Sequence, residues 1–278
     1  MADEAKGGNM DRDVLIQIIN GFATAGKVFS NEQDFQFEFA LALKERDEVE
    51  EVKLEVLSFP RNLPNLNNGG LRNLINNRGS LKVRRSQKEY TDIIVKTEGE
   101  YYAIELKFKG ANQAYLYNSN SGDVAVMGHG AADINSYLFL KDIERLENIN
   151  QRLFSREEIH IEEGFAILLT NNIKYRENGV GGIWQNFSIS EVNDEEGVHS
   201  REIQGPLHLS FIDQNGEPQE QYMLKDVTYN SFSLNGDYTL EWENYPLSDE
   251  ARRVNPNVNM APAFSFLVVE VPQNGQQA

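Results

Sequence analysis

Asp92, twelve intervening residues, then Glu105-Leu106-Lys107 set two carboxylates and an amine inside otherwise apolar runs. The stretch TDIIVKTEGEYYAIELKFKG reads as two strands around a turn at Glu98-Gly99. With that turn, Thr97 faces Glu100 and Asp92 falls opposite Glu105. Side chains alternate along a strand, so Glu105 and Lys107 share a face with Asp92. Like charges directly opposed across strands repel, and a cation between them relieves the repulsion. Oxygen ligands in such a cluster suit Mg²⁺, Mn²⁺ or Ca²⁺. A lysine beside a metal can orient an attacking water, and a metal lowers that water's pKa. These are the parts of a phosphodiesterase.

The elements around the hairpin give these residues their setting. Residues 11–22 have helical apolar spacing. Ser30 and Gln33 resemble a capping box opening a helix over 31–46, although FQFEFALALKER also alternates like a strand. Residues 51–59 alternate as a strand. Residues 60–80 are rich in Pro, Asn and Gly and read as a long loop, with a short helix near 71–75. Residues 131–149 form a helix with an apolar stripe at 134, 138, 143, 146 and 149, beside charged Lys141, Asp142, Glu144 and Arg145. FAILLT, 165–170, reads as a buried strand. Beyond 180 the chain reads as β-rich, through IWQNFSIS, PLHLSFID, QYMLKDVTYN, DYTLEWENY and FSFLVVEV. Trp184 and Trp242 are expected in the core.

The 278 residues contain no cysteine, so disulfides and thiolate metal sites are excluded. The four histidines lack zinc-like pairing. The first residues lack the layout of a secretion signal, and no apolar run has membrane-spanning length. A soluble, cytoplasmic protein without a membrane partner is the expectation. Net charge is −17, yet Val56 to Lys88 has no acid and seven bases: Arg61, Arg72, Arg78, Lys82, Arg84, Arg85 and Lys88. Such a window suits phosphate contact. Arg84, Arg85 and Lys88 stand nearest Asp92.

Asp92 and Glu105-Leu106-Lys107 on a hairpin, with a helix and strand before and a helix and strand after, resemble the PD-(D/E)XK motif of restriction-endonuclease-like nucleases. Thr91 stands where the motif has proline. The resemblance covers residues 11–172 and implies an α/β fold, a mixed central sheet flanked by helices, with 173–272 as a β-rich C-terminal extension packed on that core. It implies that Asp92 and Glu105 bind Mg²⁺ or Mn²⁺, that Leu106 lends its backbone carbonyl, and that Lys107 serves the water. It points to Glu38 as a further acidic ligand from the first helix, with Gln36 the alternative if the helix phase differs. DNA is the implied substrate and partner, contacted through Arg72, Arg78, Lys82, Arg84, Arg85 and Lys88. A targeting protein is a further expected partner, and a homodimer is expected if both strands are cut. The competing expectation is a non-catalytic module of the same fold that binds nucleic acid or protein.

Overall fold

The computed structural model describes residues 10–60, 89–120, 122–154, 159–252 and 260–273. The expected short helix near 71–75 lies outside them.

Asp11 caps α1 (Arg12–Thr24) by accepting from the Val14 amide at 2.9 Å. Leu15, Ile18, Ile19 and Phe22 form its buried stripe. In α2 (Glu32–Lys44) the cap is Asn31, one residue later than the sequence pattern indicates. Asn31 Oδ1 accepts from the Asp34 amide, and the Asp34 carboxylate accepts from the Ser30 amide, each at 2.9 Å. The box is therefore Asn31 with Asp34. Phe35 and Phe39 of α2 meet Phe22 and Phe29 in a largely edge-to-face aromatic cluster.

Strands β1 (Val49–Pro60), β2 (Glu89–Thr97) and β3 (Glu100–Lys109) form an antiparallel meander. A small hairpin follows, β4 (Tyr115–Ser119) with β5 (Gly122–Val126). Next come α3 (Ala132–Glu147), the short β6 (Arg152–Phe154) and β7 (Ile161–Thr170). β3 and β7 pair in parallel. A parallel pair needs a long crossover, and α3 supplies it. At Gly164 a Cβ would lie 3.1 Å from Leu146 Cβ, so the glycine lets α3 close onto β7.

The C-terminal region does not stay apart from this sheet. Strand Phe264–Pro272 pairs antiparallel with β7, and Trp242–Tyr245 pairs with it in turn. The mixed seven-stranded order is Trp242–Tyr245, Phe264–Pro272, β7, β3, β2, β1, β6. The intervening residues form short two-stranded pairs such as 207–209 with 232–234 and 221–224 with 227–230. IWQNFSIS departs from its expected strand: residues 182–187 form a 3-10 helix that buries Trp184 and Phe187. These rings pack with Tyr137 of α3 and with Phe211. Tertiary aromatic packing outweighs the local strand pattern there. Trp242 is buried as expected and donates to the Ile189 carbonyl at 2.8 Å.

The fold is thus mixed α/β with a β-rich C-terminal region. α1 and α2 cover one sheet face; α3 and the C-terminal pairs cover the other. Among the described residues, no helix is long and apolar enough to cross a membrane.

Candidate active site

The Glu98-Gly99 turn has φ values of 51° and 90°, the left-handed backbone that a two-residue hairpin turn needs. It sets the register Thr97 to Glu100 through Ile93 to Ile104, as the sequence indicates. Ile93, Val95, Ile104 and Leu106 then enter the core beneath α1 and α2. Ile94 and Ala103 enter the core beneath α3. Asp92, Glu105 and Lys107 share the parity of Ile94 and Ala103, so all three belong to the α3 face. One Asp92 oxygen, Oδ2, accepts from the Leu106 amide at 2.7 Å and ties the two strands together at the site.

Two α3 residues complete the cluster. Asp142 Oδ2 lies 2.5 Å from Lys107 Nζ, and Asp142 Oδ1 lies 3.1 Å from Arg145 Nη2. Arg145 also forms an ion pair with Glu105. One carboxylate therefore bridges two cations, one on the sheet and one on its own helix. Glu105 is 1% exposed, and apart from the Arg145 ion pair neither of its carboxylate oxygens has a hydrogen-bond partner.

Burial dominates the electrostatics. It pushes the Asp92 carboxyl up to about 6, against the Leu106 amide and Lys107, which favour the charged form. Burial likewise raises Glu105 well above the ordinary glutamate value; Arg145 opposes this, while Asp92 and Asp142 add to it. Burial alone would lower the Lys107 pKa, but the Asp142 carboxylate more than offsets it and leaves Lys107 raised. Lys107 is accordingly a firmly charged ammonium. With all groups ionised, Asp92, Glu105 and Asp142 outnumber Lys107 and Arg145 by one charge.

The residues fit a hard divalent cation in donor chemistry. Glu105 presents buried carboxylate oxygens engaged only by the Arg145 ion pair, beside a second carboxylate whose ionisation burial opposes. Among the described residues no group of three or more His, Cys, Asp or Glu is arranged to hold a metal ion. A cation here would rest on Asp92 and Glu105, with water and substrate oxygens completing its shell.

Glu38 is not brought to this cluster. It pairs with Lys27 and lines a cleft of about 370 Å³ with Asp34 and Asp123. Two other α2 residues reach the hairpin: Glu32 Oε2 accepts from the Phe108 amide and pairs with Lys109, each at 3.1 Å, and the Gln36 amide nitrogen donates to the Asp92 carbonyl at 2.9 Å and to Glu55 Oε1 at 3.0 Å. Residue 38 stands about 200° further round the helix, which turns it away. Arg72, Arg78, Lys82, Arg84, Arg85 and Lys88 lie outside the described residues. The segment holding them joins β1 to β2, and Ser58 pairs with Glu89 only three residues from Asp92.

Asp142 and Arg145 are the residues that the sequence pattern missed. The signal was present: Asp142 follows Phe139 by three and precedes Leu146 by four, so it lies on their face. His129, in the glycine-rich approach to α3, accepts from the Gly110 amide at 2.9 Å and braces the chain after β3. The chain matches no family model, no curated protein and no solved structure.

Proposed function

We propose that this chain is a restriction-endonuclease-like, metal-dependent endonuclease that hydrolyses phosphodiester bonds in DNA. The observation that carries this reading is the convergence of Asp92, Glu105 and Lys107 on one sheet face, with Asp92 tied to the Leu106 amide. In this reading Asp92 and Glu105 hold Mg²⁺ or Mn²⁺, with the Leu106 carbonyl beside them. The bound ion supplies Lewis acidity toward the phosphate and its attacking water. Lys107, kept protonated by Asp142, acts as a fixed positive charge: it orients that water and stabilises charge gathering on the phosphate. It is not the proton acceptor. Gln36 braces the motif from the opposite sheet face through the Asp92 main-chain carbonyl, and Glu38 has no part. The basic segment that starts and ends beside the site supports a nucleic-acid substrate.

Supercoiled plasmid incubated with Mg²⁺ or Mn²⁺ tests this. Nicking by the unaltered chain, reduced on the order of 10³-fold in both Glu105→Gln and Lys107→Ala, is the expected outcome. Failure to nick with either metal would reject the enzymatic reading.

The α3 ion pairs favour one rival. Glu105 and Lys107 both already have partners of opposite charge, as they would in a binding module that keeps the fold without the chemistry. Under that reading, DNA binding persists undiminished in Lys107→Ala and no divalent metal supports cleavage.

A further inference from the structure

We infer that Arg145 holds the place of the divalent cation at Glu105, so that guanidinium pairing and metal binding there exclude each other. The inference rests on the metal-dependent reading above and adds to it a built-in competitor on α3.

Four observations lead to it. Arg145 is the cation paired with Glu105, and the Glu105 oxygens have no hydrogen bond that would otherwise satisfy them. A buried carboxylate beside Asp92 needs a positive charge nearby, and the guanidinium provides it. Arg145 is also anchored to Asp142, so it can leave Glu105 without losing every partner. Its side chain is 24% exposed against 1% for Glu105, so solvent reaches this pair from the Arg145 side.

Charge balance points the same way. The ionised cluster carries one excess negative charge with Arg145 in place. A divalent ion reverses that excess, and one phosphodiester then brings the total to zero. Metal entry at Glu105 would leave Arg145 on Asp142 beside Lys107. There a phosphate oxygen is its natural new partner, because a guanidinium matches phosphate in a two-pronged contact. Arg145 thus links metal loading to recognition of a phosphodiester group.

The test is Mn²⁺ binding to the chelator-stripped full chain, followed by titration calorimetry. Arg145→Gln removes the competitor and should bind Mn²⁺ about tenfold more tightly, whereas Arg145→Lys should stay within about threefold of the unaltered chain. Phenylglyoxal labelling of the unaltered chain, mapped by mass spectrometry, gives a second measurement that does not depend on a variant folding. Saturating Mn²⁺ should raise modification at Arg145 several-fold and leave Arg176, paired with Glu191, unchanged. Equal or weaker Mn²⁺ binding by Arg145→Gln, or unaltered labelling at Arg145 on metal addition, overturns this inference while leaving the nuclease reading standing. No Mn²⁺ binding by the folded, unaltered chain overturns both.

Discussion

On one face of β2 and β3, Ile93, Val95, Ile104 and Leu106 pack under α1 and α2 among Phe22, Phe29, Phe35 and Phe39. On the other, the alternating residues Asp92, Glu105 and Lys107 meet Asp142 and Arg145 of α3. The same backbone carries both sets, a residue apart. On the first face burial is the driving force: each side chain leaves water without losing a hydrogen bond. On the second, burial opposes the charges it encloses, and the ion pairs return only part of what desolvation removes. At this end of β2 and β3 the stabilising burial is therefore on the α1–α2 side. The α3 side carries a cluster whose arrangement contributes less to stability than apolar residues of the same size would.

The largest expected effect breaks the apolar face. Phe39→Ala empties a fully buried site against Phe22 and Phe35 and should cost about 3–5 kcal/mol in urea unfolding. Mn²⁺ affinity of the folded fraction should not change. A loss under about 1 kcal/mol would mean that this face is not the stabilising one.

A smaller effect sharpens the charged face. Asp92 titrates near 6 in the folded chain against an ordinary 3.8, because burial disfavours its anion. The folded state therefore holds this proton more tightly than the unfolded state does. The resulting stabilisation is complete below about pH 4 and is lost as pH rises through about 6. Asp92→Asn should flatten that slope and, above pH 6 without divalent metal, exceed the unaltered chain in stability by up to about 3 kcal/mol. Urea midpoints between pH 4 and 8 measure it, and identical slopes for the two proteins would remove the burial argument.

The smallest effect concerns Glu38. Its ion pair with Lys27 is partly exposed on both sides, so Glu38→Gln should change stability by no more than about 1 kcal/mol. Mn²⁺ binding and plasmid nicking should be unaltered. A large loss of metal affinity in this variant would return Glu38 to the metal centre.

Much of this was readable locally. The hairpin register needed only Glu98-Gly99 and the alternation on either side, because a two-residue turn leaves one pairing. The α2 helix was readable from its residue types, although its cap lay one position along, at Asn31. The stripe of α3 was harder. The apolar positions suggested 134, 138, 143, 146 and 149; Ile143, Leu146 and Ile149 are buried, yet Leu138 is exposed while Asp142 and Glu147 are buried. Hydrophobic periodicity places a charge in water by default; it carries no information about a partner elsewhere in the chain. Glu147 is buried because the Asn235 and Gly236 amides and the Tyr238 hydroxyl all donate to it from the C-terminal region. Residues 182–187 misled for the same reason, since their aromatic partners are distant in sequence.

From residue order alone came the pairing of β2 with β3 and the shared side of Asp92, Glu105 and Lys107, because turn geometry and strand alternation act over a few residues. Tertiary structure decided which helix covers that side, which ions neutralise it, and that α2 meets the hairpin through Gln36 and Glu32 rather than Glu38. Those outcomes depend on the packing of α2, α3 and the sheet, where burial and opposite charge act between groups that no local pattern brings together.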